Sequence, residues 1–313
     1  MRSQKNILNA ITGRARRWWH KSINTLYMLR LAKKDILLVN ASMDWNKDGV
    51  VHQNFGDDLN YYILTILTGK HIINSSQIWN IGRLPIYMCI GSILNLYYIN
   101  PKGNIVWGSG ARDAGLPMNG FPKKICAVRG KLTREYLQRQ GMDCPEIYGD
   151  PALLLPFLYQ PIRKKKHKLG IILHFRDKGN EQIRRVVEKN GESVEFIDIV
   201  NFDRWESVID RIMECECIAS SSLHGLIVAD AYKVPNVWIR FGDDTFEGEF
   251  KYLDYFSGVQ RKTKEPLRIT DSTTIKDVLE QCSYFTPINY DASPLIQSCP
   301  FKITHEGVSI ARN

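Results

Sequence analysis

Beyond residue 35 the chain alternates short apolar runs with longer stretches of helical spacing, the rhythm of strands and helices in an α/β fold. In the first half, strands are predicted at 35–42, 85–90, 104–107 and 125–128, and helices at 61–67 and 131–140. The second of these helices stops at Gly141, a residue suited to the left-handed turn that ends helices. Residues 156–168 hold two prolines and a basic run, and predict a linker. Strands are predicted again at 169–175, 194–199, 217–219 and 236–240, with helices at 181–189, 204–214 and 223–233. Helices at 246–256 and 275–282 and a short element at 294–299 close the chain. The pattern therefore divides into two α/β domains of ordinary size, 35–158 and 159–313. Neither an internal repeat nor a low-complexity tract interrupts it.

Residues 1–34 read differently. Leu8, Ile11, Ala15, Trp18, Trp19, Ile23, Leu26 and Leu29 recur at close to helical spacing, with Arg14, Arg17 and Lys21 toward the other side. A basic amphipathic helix with paired tryptophans fits the headgroup region of an anionic membrane, or packs its apolar face onto the first domain. Charge sharpens this picture. The net charge of +9 suggests nucleic acid until it is located: residues 1–34 hold nine of the 42 Lys/Arg and no Asp or Glu. Removing those nine leaves 33 basic residues against 33 acidic ones, so the folded part is formally neutral and no nucleic-acid partner is expected. Hydrophobic residues at 44% and charged residues at 24% are ordinary for a soluble globular protein. The seven cysteines form no Cys-x-x-Cys pair, and Cys215 and Cys217 stand too close for zinc spacing. A reduced, cytoplasmic protein without a structural metal is expected. No apolar run is long enough to span a membrane, and no secretory signal is recognisable.

Candidate chemistry gathers where predicted strands end. Ser220, Ser221 and Ser222 separate the strand at 217–219 from a helix beginning at Leu223. Hydroxyls there can cap the helix, and a helix start favours an anion through its free N–H groups and dipole. His224, in the first turn, could exchange a proton with whatever is bound beside it. His174 and Arg176 stand at the carboxyl end of the strand at 169–175, the edge from which the serine turn should project. The strand at 85–90 runs into Gly91 and Ser92, and that at 104–107 into Gly108-Ser109-Gly110, where a ligand can approach the backbone. Arg129 follows the strand at 125–128, and suits either a bidentate grip on a carboxylate or phosphate or a salt bridge within the turn. Asp57 can be read as a helix cap or a catalytic carboxylate. The chain has neither Gly-x-Gly-x-x-Gly nor a phosphate loop, so dinucleotide or nucleoside triphosphate binding of the usual kind is not supported.

Several of these segments together resemble the polysaccharide pyruvyl transferase family of bacterial capsule and exopolysaccharide pathways. They are Asn54-Phe-Gly-Asp-Asp-Leu-Asn60, Gly91-Ser-Ile-Leu94, Val106-Trp-Gly-Ser-Gly110, Ala127-Val-Arg-Gly130, Ile147-Tyr-Gly-Asp-Pro-Ala-Leu-Leu-Leu155 and the stretch from Ser220 to Tyr232. The likeness covers about residues 36–257. It implies two Rossmann-like domains facing across a cleft, as in GT-B glycosyltransferases. The reaction it implies moves the pyruvyl group of phosphoenolpyruvate onto two hydroxyls of a sugar, forming a cyclic ketal and releasing phosphate. The donor is a substrate, and no cofactor or metal is implied. The acceptor implied is a sugar in a repeat unit, expected to be lipid-linked, with the enzyme cytoplasmic or peripheral on the inner face of the cytoplasmic membrane.

Mapped onto this chain, the reaction calls for His224, His174 and Asp57 in the proton transfers. Asn54, Gly56, Gly91, Ser92, Arg129, Arg176, Ser220, Ser221, Ser222 and Leu223 are the expected binding residues. Some relatives have Arg-Leu-His where this chain has Ser222-Leu223-His224, so another cation or the helix start must replace that arginine. Two other readings fit the same residues: a GT-B-type glycosyltransferase using a nucleotide sugar, and an inactive scaffold held at a membrane by its first helix.

Overall fold

A computed structural model describes residues 2–46, 49–51, 54–81, 83–96, 99, 103–190, 193–241, 248–263 and 265–309. The chain opens with the long helix α1 (Arg2–Arg30). Strand β1 (Ile36–Val39) follows, then a small antiparallel hairpin of β2 (Asp44–Asn46) and β3 (Gly49–Val51) that the pattern of apolar residues did not announce. Helix α2 (Phe55–Thr68) begins six residues before the predicted start at 61, which puts Gly56 and Asp57 inside its first turn. Asp57 and Asp58 there complement the positive end of the helix dipole. Gly69, in the left-handed conformation, ends the helix with its N–H on the Thr65 carbonyl.

The remaining strands of the first half are β4 (His71–Asn74), β5 (Ile86–Met88), β6 (Asn104–Trp107) and β7 (Lys124–Ala127). They form a parallel sheet in the order β4-β1-β5-β6-β7. Helices α3 (Lys131–Arg139) and α4 (Leu155–Leu158) complete this half. The predicted linker shrinks from both ends, because α4 takes its first residues and the next strand begins at His167.

The second half alternates as its periodicity predicts: β8 (His167–Ile172), α5 (Glu181–Asn190), β9 (Val194–Phe196), α6 (Trp205–Met213), β10 (Cys215–Ser220), α7 (Leu223–Ala231), β11 (Asn236–Phe241), α8 (Phe250–Gly258), β12 (Leu267–Ile269) and α9 (Ile275–Ser283). Its sheet is also parallel and five-stranded, in the order β12-β11-β10-β8-β9. Two such sheets are consistent with two Rossmann-like domains. The predicted helix at 246–256 starts later, at Phe250; residues 242–247 lie outside the described residues.

One core joins the halves. Phe55, Ile63 and Leu67 of α2, Leu154 and Leu155, and Leu226 and Ile227 of α7 belong to a single buried cluster. Helix α7 is buried along its length because its residues are apolar on every side, as expected of a helix enclosed by other elements. The chain end, α10 (Ser293–Gln297) and α11 (Glu306–Ser309), returns to the first half. There the Trp107 indole donates to the Leu295 carbonyl at 2.9 Å, Tyr290 donates to the Tyr148 carbonyl at 2.9 Å, and the Thr304 N–H reaches the Leu67 carbonyl at 2.7 Å.

Candidate active site

In a parallel sheet every strand ends at the same edge, and the free N–H groups of the following helices point there too. The carboxyl ends of β1 (Ser42), β5 (Gly91, Ser92), β8 (His174, Phe175, Arg176) and β10 (Ser222 to His224) all open onto one cavity of about 330 Å³. Residues from both halves line it, and the first turn of α2 brings Asn54 and Asp57 to its wall. A larger cavity of about 950 Å³ lies beside β11, β12 and residues 281–289 of the second half, and holds none of the predicted site residues. The smaller one is therefore the candidate site, because the acid–base groups converge there.

His224 sits at the second position of α7 and is almost fully buried. Its ring is held between the two halves. Gly56 of α2 lies so close that a Cβ built there would overlap Nδ1, so this helix-to-ring contact requires glycine. On the other side, Nε2 lies 3.7 Å from Oδ2 of Asp150, a carboxylate with no solvent exposure. Neither of these two atoms has a hydrogen-bond partner, although the other Asp150 oxygen accepts from the Ala152 N–H at 2.9 Å. Burial pushes the Tyr290 phenol up, and the negative charge of Asp150 adds to the effect.

Asp57 is oriented by Asn54, whose amide donates to Oδ2 at 2.9 Å. The backbone beneath it is fixed by Asn60, which donates to the carbonyls of Asp57 and Ile90 and accepts from the Ile90 N–H. This ties α2 to the turn after β5, where Gly91 takes a left-handed φ of 111° that favours glycine. His174 is fixed through its backbone: its N–H donates to the Ser221 hydroxyl at 3.0 Å, and that hydroxyl donates to Asp177 at 2.6 Å.

The site thus combines proton-transfer side chains, a helix start and a set of cations in one cleft. A sequence comparison gives it a family: residues 23–243 match the polysaccharide pyruvyl transferase profile. The chain belongs to that family. It is also similar to the uncharacterized protein L143 of Acanthamoeba polyphaga mimivirus, 28% identical over 83% of this chain and 89% of that protein. The succinoglycan biosynthesis protein ExoV of Rhizobium meliloti is 29% identical over 75% of this chain and 70% of its own length. Membership makes the protein a transferase.

Within this transferase, nine of the predicted residues line the cavity: Asn54, Asp57, Gly91, Ser92, His174, Arg176, Ser222, Leu223 and His224. Gly56 stands behind His224 rather than in the wall. Ser220 and Ser221 are buried beneath the turn, and the expectation that the three hydroxyls cap α7 is corrected. Ser222 makes no side-chain cap bond, while the Ser220 hydroxyl serves the turn itself, accepting from the Ser222 N–H at 3.0 Å. Their hydroxyls are spent on holding strand ends together.

Arg129 does not line the cavity. Its guanidinium is wholly buried, donating to Asp254 of α8 at 2.9 Å, to the Ser92 hydroxyl at 2.5 Å and to the Ala111 carbonyl at 2.8 Å. Asp254 also accepts from the N–H and hydroxyl of Thr133, both at 2.7 Å. The salt-bridge alternative is the one realised, except that the bridge links the two halves rather than one turn. Two cations that sequence reasoning did not select take positions in the wall instead, Arg112 and Lys251, beside the predicted Arg176. Arg112 follows the strand-end glycines by two residues, a signal that could have been read; Lys251, on α8, is brought in by the packing of the whole second half. Among the described residues no three His, Cys, Asp or Glu side chains cluster as a metal site.

Proposed function

We propose that the chain transfers the pyruvyl group of phosphoenolpyruvate to two hydroxyls of a sugar in a lipid-linked repeat unit, making a cyclic ketal. Exopolysaccharide or capsule assembly is the pathway class, in keeping with the ExoV likeness, and the enzyme would work at the inner face of the cytoplasmic membrane. The halves would close on substrate as in GT-B transferases. One observation carries this reading: His224, His174 and Asp57 share a cavity with Arg112, Arg176 and Lys251. The donor is a small trianion with a carboxylate and a phosphate, and separate cations suit two separate anionic groups.

The chemistry assigns roles. Protonation of the donor methylene by His224 turns C2 into an oxocarbenium-like centre, and the first sugar hydroxyl adds there as its proton passes to Asp57 or His174. The C2–O bond to phosphate then breaks, phosphate leaves with the electron pair, and the second hydroxyl closes the ketal as its proton is taken up. One hydroxyl proton replaces the proton given to the methyl group, and the other leaves with phosphate. Arg112, Arg176 and Lys251 would neutralise the leaving phosphate and hold the carboxylate. Asp150, 3.7 Å from the ring, would hold His224 in place for the first step.

The test is His224→Gln. Turnover should fall by about two to four orders of magnitude while the fold persists. His174→Gln serves as the companion variant: a comparable loss there means the histidines share the proton work. A folded His224→Gln protein with near-normal phosphate release would remove His224 from the mechanism.

A further inference from the structure

We propose that the outer face of α1, extended by Trp79 and Ile81, is a docking surface for an anionic lipid bilayer. The proposal rests on the reading above only for its purpose, access to a lipid-linked acceptor; the surface is argued from α1 itself.

The helix docks onto its own domain through an adjoining face. Asn24, Thr25 and Met28 are buried. Asn24 donates to the Gln77 carbonyl at 3.3 Å, and the Thr25 hydroxyl accepts from the Trp79 N–H at 2.8 Å. Met28 joins Ile36, Leu38, Ile73 and Ile78 in a small core. Asn24, Thr25 and Met28 thus anchor the helix to the first domain. What remains outside is apolar: Trp18 and Trp19 are 62% and 68% exposed, Leu26 and Leu29 59% and 54%. At about 100° per residue these four lie within one arc of roughly 100°, adjoining the arc that carries Asn24, Met28 and Thr25. The loop after β4 enlarges the patch, for the Trp18 ring meets Trp79 edge-on at 5.1 Å and Ile81 is 65% exposed. Isolated exposed apolar residues need no explanation, but a contiguous aromatic and aliphatic patch marks an interaction surface.

Charge selects the occupant. Residues 1–34 carry nine Lys/Arg and no acidic residue, and Arg16 and Arg30 are exposed on α1 beside the patch. A second copy of the chain would bring nine further cations against these nine, which disfavours self-pairing through this face. An anionic bilayer offers the opposite charge and an apolar layer beneath it, where tryptophan side chains settle at headgroup depth. No helix among the described residues is long and apolar enough to cross a membrane, so α1 would lie in the interfacial plane.

The experiment is flotation of the full chain with phosphatidylcholine vesicles, with and without phosphatidylglycerol. The wild type should float with the mixed vesicles, weakly or not at all with phosphatidylcholine alone, and less as salt is raised. Trp19→Glu with Leu26→Glu should weaken flotation about tenfold or more. Ile81→Glu, outside the helix, should weaken it measurably, and circular dichroism should show both variants folded. A wild type that stays with the protein pellet, or a double variant that floats equally well, overturns the proposal. So does a dimer that sediments as such and is dissolved by Trp19→Glu with Leu26→Glu while no vesicle is bound. Phosphate release from phosphoenolpyruvate is scored separately, so loss of that activity with flotation intact contradicts the proposed reaction and leaves the surface standing.

Discussion

At the scale of the residue, the site depends on what surrounds His224. The histidine itself was legible, because a strand, a polar turn and a buried-type helix could be read around it. Its partners were not: Asp150 comes from a separate motif and Gly56 from α2, and only the fold brings the three together. Two predictions follow from that contact geometry. Gly56→Ala leaves the backbone of α2 intact, since alanine favours helix, but its Cβ must displace the imidazole. Turnover should fall about a hundredfold, the cost of a small misplacement of a reacting group, and crowding the buried ring should cost about 1–3 kcal/mol of stability. Steady-state kinetics alongside a melting curve checks this, and unchanged turnover would mean the ring has room to spare. Asp150→Asn keeps the cap on Ala152 available through its amide oxygen but removes the charge facing His224. If Asp150 acts through the histidine, the double variant with His224→Gln should be no slower than His224→Gln alone. Additive losses would assign Asp150 a separate role.

Among the elements, helix α8 connects site and scaffold. Its Lys251 lines the cavity, and one turn later Asp254 receives the Arg129 guanidinium and two groups of Thr133. Sequence reasoning placed Arg129 correctly at a strand end, but direction is decided by packing: the side chain turns inward to a carboxylate 125 residues away in the chain. Removing one partner of a fully buried pair leaves the other charge without compensation. Arg129→Ala should therefore cost about 3–5 kcal/mol of stability, read from urea unfolding. Asp254→Ala should weaken the protein and its donor affinity to a similar degree. A far greater loss of donor affinity for Arg129→Ala than for Asp254→Ala would show that the arginine itself meets the donor. The elements that escaped the sequence include the edge strands β4 and β12 and the hairpin β2–β3, each strand of three or four residues with no long apolar run ending in glycine to mark it. By contrast β6 was placed to the residue, because its apolar run ends abruptly in glycine.

For the whole molecule, the sequence indicated two α/β halves, and the structure has two parallel five-stranded sheets whose carboxyl edges share a cleft. It did not indicate that the chain end returns to the first half, since the hydrogen bonds from Trp107, Tyr290 and Thr304 join segments far apart in sequence. All seven cysteines are buried and none is in a disulfide. Burial pushes the Cys144 and Cys215 thiols up to about 12 and raises those of Cys89 and Cys126, while a hydrogen bond with Cys217, and then burial, raises Cys282. The native protein should accordingly resist a thiol reagent near neutral pH and react fully once unfolded, since the thiolate is the reactive form. A thiol that reacts rapidly in the folded state would place one of them nearer the surface than the structure does.

The central claim is that this cleft passes a pyruvyl carbon to a sugar. Phosphoenolpyruvate labelled with carbon-13 at C2, incubated with the full chain and a membrane extract containing lipid-linked oligosaccharide, tests it directly by carbon NMR. The label should move into a quaternary ketal carbon on the glycan as phosphate is released, and His224→Gln should abolish the signal. Label that stays in phosphoenolpyruvate, while a nucleotide sugar added to the same mixture is consumed, would contradict it.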